Sequence, residues 1–221
     1  MRKVVVTGFG VISSSGNDPE TMWKNISSGK SGIRYLDDSA FDESPVRIAG
    51  KVDDFSAETY FCAKDAKKYD KYIQFAVAAS LQAVEMSGLE SADWDPERAG
   101  VYVGSGVGGI ETIMKNHEAF LAKGARRVSP FMIPMMIVNM ASGVVAIRTG
   151  FKGANYAPVS ACATANNAIG EAFLNIAHGQ ADVMLAGGSD AGIQPFLLAG
   201  FSSMKALSTR NDVPEIGRAH V

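Results

Sequence analysis

Apolar residues recur along the chain in two patterns, short continuous runs and longer stretches at helical spacing. Val4, Val5 and Val6 form a β-branched run closed by Gly8, the mark of a strand buried on both faces of a parallel sheet. Residues 100–104 read as a second such strand, 156–160 as a third and 182–187 as a fourth. Between these runs the spacing turns helical. Residues 19–27 and 71–87 are predicted helices. In the second, Tyr72, Phe75, Ala76, Ala79, Ala83 and Met86 recur at helical spacing and Gly88 supplies the stop. Further helices are predicted over 111–122, 137–148 and 164–177, the last predominantly apolar. Residues 33–60 show little periodicity and carry Asp, Ser and Pro, as a surface excursion does. Strands that alternate with helices predict an α/β fold with a parallel sheet. No linker composition or low-complexity tract divides the chain, so one compact unit is the simplest organisation.

The 221 residues can bury a substantial core. At 47% hydrophobic and 20% charged, they have the balance of a globular protein. A net charge of −2 speaks against a general nucleic-acid binder. No apolar run approaches membrane-spanning length, and the three valines near the start are too few for a signal-peptide core. The two cysteines, Cys62 and Cys162, cannot form a disulfide framework, and no Cys/His cluster has metal-ligand spacing. A cytoplasmic protein with free thiols is expected.

Candidate chemistry concentrates at Cys162, between a predicted strand and a predicted helix. A thiol at a helix start faces unpaired N–H groups and the positive end of the helix dipole, a setting that suits a thiolate nucleophile. The same N–H groups could hold an oxyanion. Ala161, Ala163 and Ala165 are small and leave room for a substrate. Local context alone leaves a second reading open, because free cysteine is among the most buried residue types and often merely packs. Cys62 has no comparable setting and reads as structural. His178, just before Gly179, reads as a helix C-cap, and His117 as solvated on a polar helix face.

The ordered motifs resolve that ambiguity. They begin with Val4-Val-Val-Thr-Gly8, Trp23, Gly29-Lys-Ser-Gly-Ile33 and Gly104-Ser-Gly-Val-Gly-Gly109. Ser129-Pro-Phe131, Pro134, Asn139-Met140 and Ala161-Cys-Ala-Thr164 follow. The series closes with the stretches 179–188 and 206–212. Together they resemble the elongating β-ketoacyl-[acyl-carrier-protein] synthases, type II most of all. The resemblance implies a thiolase-like α/β fold, a parallel-rich sheet flanked by helices, with this chain holding four strands of the first of two similar halves. It implies Cys162 as acyl acceptor in a decarboxylative condensation with malonyl-carrier protein. No metal or organic cofactor is implied, and the family is homodimeric. Val107, Met132 and Phe201 match positions lining the acyl pocket, with core packing as the alternative. Lys64, Lys67, Lys68 and Lys205 match a basic surface for the acidic acyl carrier protein, with a solvated charged face as the alternative. Polyketide-type ketosynthases and non-catalytic chain-length-factor-like subunits share the fold.

The chain departs from the family in its polar Ser13-Ser14-Ser15 segment, in Ala165, and most of all at its end. Family members carry two catalytic histidines, a lysine and a gating phenylalanine in a second half. Residues 1–214 therefore read as a truncated amino-terminal ketoacyl-synthase domain, unable on its own to complete condensation. Residues 215–221 match nothing in the family and read as a non-native tail that includes His220.

Overall fold

The computed structural model describes residues 1–214; the expected tail, His220 with it, lies outside the described residues. In chain order the elements are α1 (Pro19–Ser27), β1 (Arg34–Tyr35), β2 (Ile48–Ala49), α2 (Ala63–Ala66), α3 (Lys71–Ser87) and β3 (Ala99–Gly104). Then come α4 (Ile110–Lys123), α5 (Met132–Met136), α6 (Met140–Thr149), β4 (Asn155–Tyr156), α7 (Thr164–Ala177), β5 (Val183–Gly188) and α8 (Pro195–Ser203). Where composition suggested one compact unit, the described residues pack as two: Met1–Gly10 with Ser56–Ala191, and Val11–Phe55 with residues 192–214.

The first unit is built on a parallel sheet in the order β4-β3-β5. Val101 of β3 lies opposite Asn155 on one side and Leu185 on the other. Every residue of β3 is buried, as a continuous apolar run between two neighbours requires. Alternate side chains serve opposite layers. Val101 and Val103 pack with Ile73, Val77, Val144 and Val145 of α3 and α6, whereas Tyr102 packs with Ala168 and Ala172 of α7.

The start of α3 anchors several segments. Asp70 caps it, accepting from Tyr72 N–H at 3.3 Å, and also accepts from Thr112 N–H at 3.1 Å and Thr112 Oγ1 at 2.6 Å in α4. Asp70 is buried, so these donors replace the water it has lost. Tyr72 is fully buried and its hydroxyl donates to Ile137 O at 2.6 Å. Burial first, then the charges of Asp70 and Asp190, push the Tyr72 phenol far above its ordinary range. Gly88, at φ 66°, closes the helix in the left-handed conformation the sequence anticipated.

Two expected strands change. Val4, Val5 and Val6 form no strand, and Val5 and Val6 are 63% and 85% exposed. Backbone donors at the two ends of this segment are taken by helices: Arg2 N–H donates to Ala177 O at 2.9 Å and Phe9 N–H to Met86 Sδ at 3.5 Å. The sheet holds three paired strands, β4, β3 and β5, where four were expected. The strand expected over 156–160 shrinks to β4, whose two residues are exposed. Pro158, with no N–H for a ladder, ends it.

The second unit holds α1, β1, β2 and α8. β1 and β2 pair antiparallel, Arg34 opposite Ala49 and Tyr35 opposite Ile48. Leu36, Phe41 and Leu198 form its buried cluster, so residues 36–49 carry core as well as surface. Asp18 caps α1, accepting from Thr21 N–H at 2.8 Å, and these Thr21 bonds hold its carboxyl below the ordinary value. A polar cleft of about 420 Å³ in this unit is lined by Ser13, Ser14, Ser15, Thr21, Lys30 and Arg34 among others. The unusual serine run therefore faces solvent space. Among the described residues no helix is long and apolar enough to cross a membrane.

Candidate active site

Cys162 lies at the middle of a single 3-10 turn, Ala161–Ala163, that leads into α7. The turn is held from both ends. Ser160 N–H donates to Thr164 Oγ1 at 2.9 Å, Ala163 N–H donates to Ser160 O at 3.0 Å, and Asn167 Nδ2 donates to Ser160 Oγ at 2.5 Å. Thr164 N–H closes onto Ala161 O. Inside this frame Ala161 adopts φ 51°. A non-glycine residue in that region costs on the order of 1–3 kcal/mol and persists only where its surroundings over-determine it. The result is a tight bend that leaves Cys162 exposed at its tip. No side chain caps the start of α7, so apart from Thr164 N–H, which Ala161 O takes, no cap competes for the N–H groups of its first turn. A strained turn into a helix with an exposed nucleophilic atom is the arrangement of a nucleophile elbow.

The sheet forms the floor of this bend. A Cβ on Gly104, the last residue of β3, would stand 2.2 Å from Pro158 O and 2.4 Å from Thr164 Cγ2. Only glycine lets the strand end so close beneath the turn. Cys162 therefore sits at the carboxyl end of the parallel strands, where open α/β sheets gather their ligands.

Beside the bend runs the glycine-rich loop 105–109, gripped by Asp190. That carboxylate accepts from Ser105 Oγ at 2.7 Å, from Gly106 N–H at 3.1 and 3.2 Å on its two oxygens, and from Val107 N–H at 3.2 Å. Ser105 Oγ in turn accepts from Gly108 N–H at 2.8 Å. Sequence reasoning missed Asp190. Its signal was an acidic residue just past a predicted parallel strand, in a fold whose glycine-rich loop presents successive N–H groups to an anion.

The expected site residues divide between the units. Val107 lies in the gripped loop, half-buried. Met132 opens α5, and Gly109 N–H donates to Met136 O at 3.1 Å, so the segments of Val107 and Met132 adjoin. Phe201, on α8, and Lys205 belong to the second unit. Lys64 and Lys67 are exposed around α2. Lys68 is engaged by Asp65 at 2.6 Å, a hydrogen-bonded pairing that raises the lysine and lowers the carboxyl from their ordinary values. Cys62 is exposed as the N-cap residue of α2, not packed as a structural cysteine would be. His117 is exposed on α4. His178 is the C-cap residue of α7, as its sequence context indicated. A 14-residue helix puts it about 20 Å from the Cys162 end. Among the described residues no three His, Cys, Asp or Glu side chains converge as a metal site.

Residues 1–218 match the family described as beta-ketoacyl synthase, N-terminal domain. The chain belongs to that family. It is similar to 3-oxoacyl-[acyl-carrier-protein] synthase 2 of Vibrio cholerae, 46% identical over 214 residues, covering 97% of this chain and 52% of that protein. A β-ketoacyl synthase from Burkholderia phymatum superposes with a TM-score of 0.84 at 29% identity, over 97% of this chain and 53% of its own. The fold is the thiolase-like fold of these ketosynthases. A type II polyketide ketosynthase, solved with its acyl-carrier protein, shares it at a TM-score of 0.76 and 24% identity, over 93% of this chain and 55% of its own. The chain thus spans about half the length of the β-ketoacyl synthases it matches.

Proposed function

We propose that Cys162 is the acyl-accepting nucleophile of a 3-oxoacyl-[acyl-carrier-protein] synthase of fatty-acid elongation. The observation that carries this reading is the exposed thiol on a strained turn at an uncapped helix start. The similarity to synthases named for that activity supports the substrate class.

The chemistry runs in two stages. The Cys162 sulfur attacks the carbonyl of an acyl thioester on the carrier protein. The carbonyl electrons move to oxygen, and N–H groups at the elbow stabilise that oxyanion. Collapse expels the carrier thiolate, which takes up a proton, and leaves the acyl group on Cys162. In the second stage a malonyl thioester loses carbon dioxide, and the resulting carbanion attacks the acyl-cysteine. A carbon–carbon bond forms, the Cys162 thiolate leaves, and the product is a 3-oxoacyl thioester two carbons longer. Splitting the reaction through a covalent intermediate is what nucleophilic catalysis contributes. The family resemblance assigns the malonyl stage to histidines of a second half, so residues 1–214 are assigned the acyl-transfer stage.

The remaining assignments follow from the same reading. Val107, Met132 and Phe201 line the acyl chain's path, and the half-burial of Val107 and Met132 is compatible with that role. Lys64, Lys67, Lys68 and Lys205 receive the acidic carrier protein, with Lys68 weakened in that role by its pairing to Asp65. The enzyme acts in the cytoplasm as a homodimer, without a metal or organic cofactor. A polyketide-type ketosynthase would use the same nucleophile. A chain-length-factor-like subunit would lack one, and Cys162 argues against it.

Incubation with a long-chain acyl-carrier protein, followed by peptide mass spectrometry, tests the reading. Cys162 should gain the acyl mass and Cys62 should not, and Cys162→Ala should abolish the adduct. Acylation of neither thiol, or of both alike, overturns it.

A further inference from the structure

We infer that Asp190 is a positioning residue for Cys162, acting through the loop it grips. The inference rests on the reading of Cys162 as nucleophile and adds a residue to that site. Asp190 has no polar contact with Cys162 among the described residues, and its hydrogen bonds run to Ser105, Gly106 and Val107. Of these, Gly106 is the link. A Cβ added at Gly106 would stand 3.5 Å from Ala161 O and 3.5 Å from Asp190 Oδ2, so the elbow and the carboxylate both flank this one backbone position. Ala161 is the strained residue immediately before the nucleophile, and strain of this kind lasts only while its neighbours hold it.

The chain of contacts is short. The two N–H groups of Gly106 and Val107 form an anion-binding concavity, and Asp190 fills it. Ser105 is fully buried and locks the same loop twice, donating to Asp190 and accepting from Gly108 N–H. Removing the carboxylate leaves Ser105, Gly106 and Val107 without their shared acceptor. The loop then relaxes from Ala161 O, Ala161 relaxes towards negative φ, and the Cys162 thiol turns away from the α7 N–H groups. A helix cap or a simple packing residue would not transmit its loss to one thiol in this way.

The test compares alkylation of Cys162 and Cys62 by iodoacetamide in the 221-residue chain, with Cys62 as internal reference. In the parent chain Cys162 should react faster than Cys62. Asp190→Ala should slow Cys162 by about tenfold or more, the scale expected when a reacting group is displaced by a fraction of an ångström to one ångström, and leave Cys62 unchanged. Asp190→Glu, which restores both acceptor oxygens, should recover most of the rate, and Ser105→Ala should fall between. Thermal melts of each variant separate this effect from unfolding, which would alter both thiols. An unchanged Cys162 rate in folded Asp190→Ala overturns the positioning role. So does a loss that Asp190→Glu fails to recover. Equal reactivity of the two thiols in the parent chain would instead overturn the nucleophile reading on which the inference rests.

Discussion

At the scale of single residues, the site depends on backbone conformations that one atom can prohibit. Gly104 is the sharpest case, because its missing side chain leaves the space that Pro158 O and Thr164 Cγ2 occupy. Neither neighbour can withdraw freely, since Pro158 O is backbone and Thr164 is buried and accepts from Ser160 N–H. Gly104→Ala should therefore destabilise the chain by about 2 kcal/mol or more, in the range of overpacked cores. Urea denaturation of the variant checks this, and an unchanged midpoint would refute the close approach. Ala161 makes the complementary point. Its φ of 51° is unfavourable by itself and is held there by the bonds around Ser160 and Thr164.

At the scale of elements, exposed ion pairs fasten segments that the sheet does not. Arg98 donates to Asp182 through Nε at 2.5 Å and through a terminal nitrogen at 2.9 Å, and Arg2 reaches the same carboxylate at 2.5 Å. This joins the amino-terminal segment, the turn before β3 and the turn before β5. The Arg98 hydrogen bonds, with help from Arg2, hold the Asp182 carboxyl at about 2, below its ordinary 3.8. The folded state thus holds the charged form more tightly than the unfolded state does. Its stabilisation is complete above the unfolded value and disappears as pH falls through the folded one. Asp182→Asn should accordingly lower the melting temperature at pH 7, and the gap from the parent chain should close between pH 4 and pH 2. A gap that stays constant across that window would exclude the carboxylate as its source. The effect should be small and salt-sensitive, because the pair is solvent-exposed.

At the scale of the whole molecule, the two units carry different amounts of core. The first buries Tyr72, Ile73, Val77, Val101, Val144 and Val145 almost completely around β3. The second closes on Leu36, Phe41 and Leu198. Local opening is easiest where few apolar contacts must break. Hydrogen exchange should therefore show amides of β3 and of the central turns of α3 exchanging only through global opening. The bonded amide of Leu36, which donates to Arg47 O, should exchange much sooner. Equal protection in the two units would show a single cooperative core instead. Helix α7 adds a second feature at this scale. It buries Thr164, Ala168, Ala172 and Ala177 but leaves Ile169, Phe173 and Leu174 exposed. Its apolar residues therefore extend beyond what the sheet of this chain covers.

Sequence alone determined the elements whose signals are local. The Gly88 stop of α3, the bounds of α1 and α7, the buried run of β3 and the cysteine at a helix start are written in residues a few positions apart. Each reflects a constraint that the chain satisfies with itself. The ordered motifs likewise made the family legible. Only the tertiary structure decided what depends on partners distant in sequence. The apolar run at Val4–Val6 looked like a strand, but the donors that flank it go to helices distant in sequence, Arg2 N–H to Ala177 O of α7 and Phe9 N–H to Met86 Sδ of α3. Residues 34–49 looked like plain surface because two-residue strands are too short for a period to register. Asp190 lies 83 positions from Val107, and its N–H partners became visible only when β3 and β5 ended side by side. Cys162 spans both categories. Its place before α7 was readable from adjacent residues, whereas the bend that exposes it rests on Gly104, Pro158 and Thr164 coming together from distant parts of the chain.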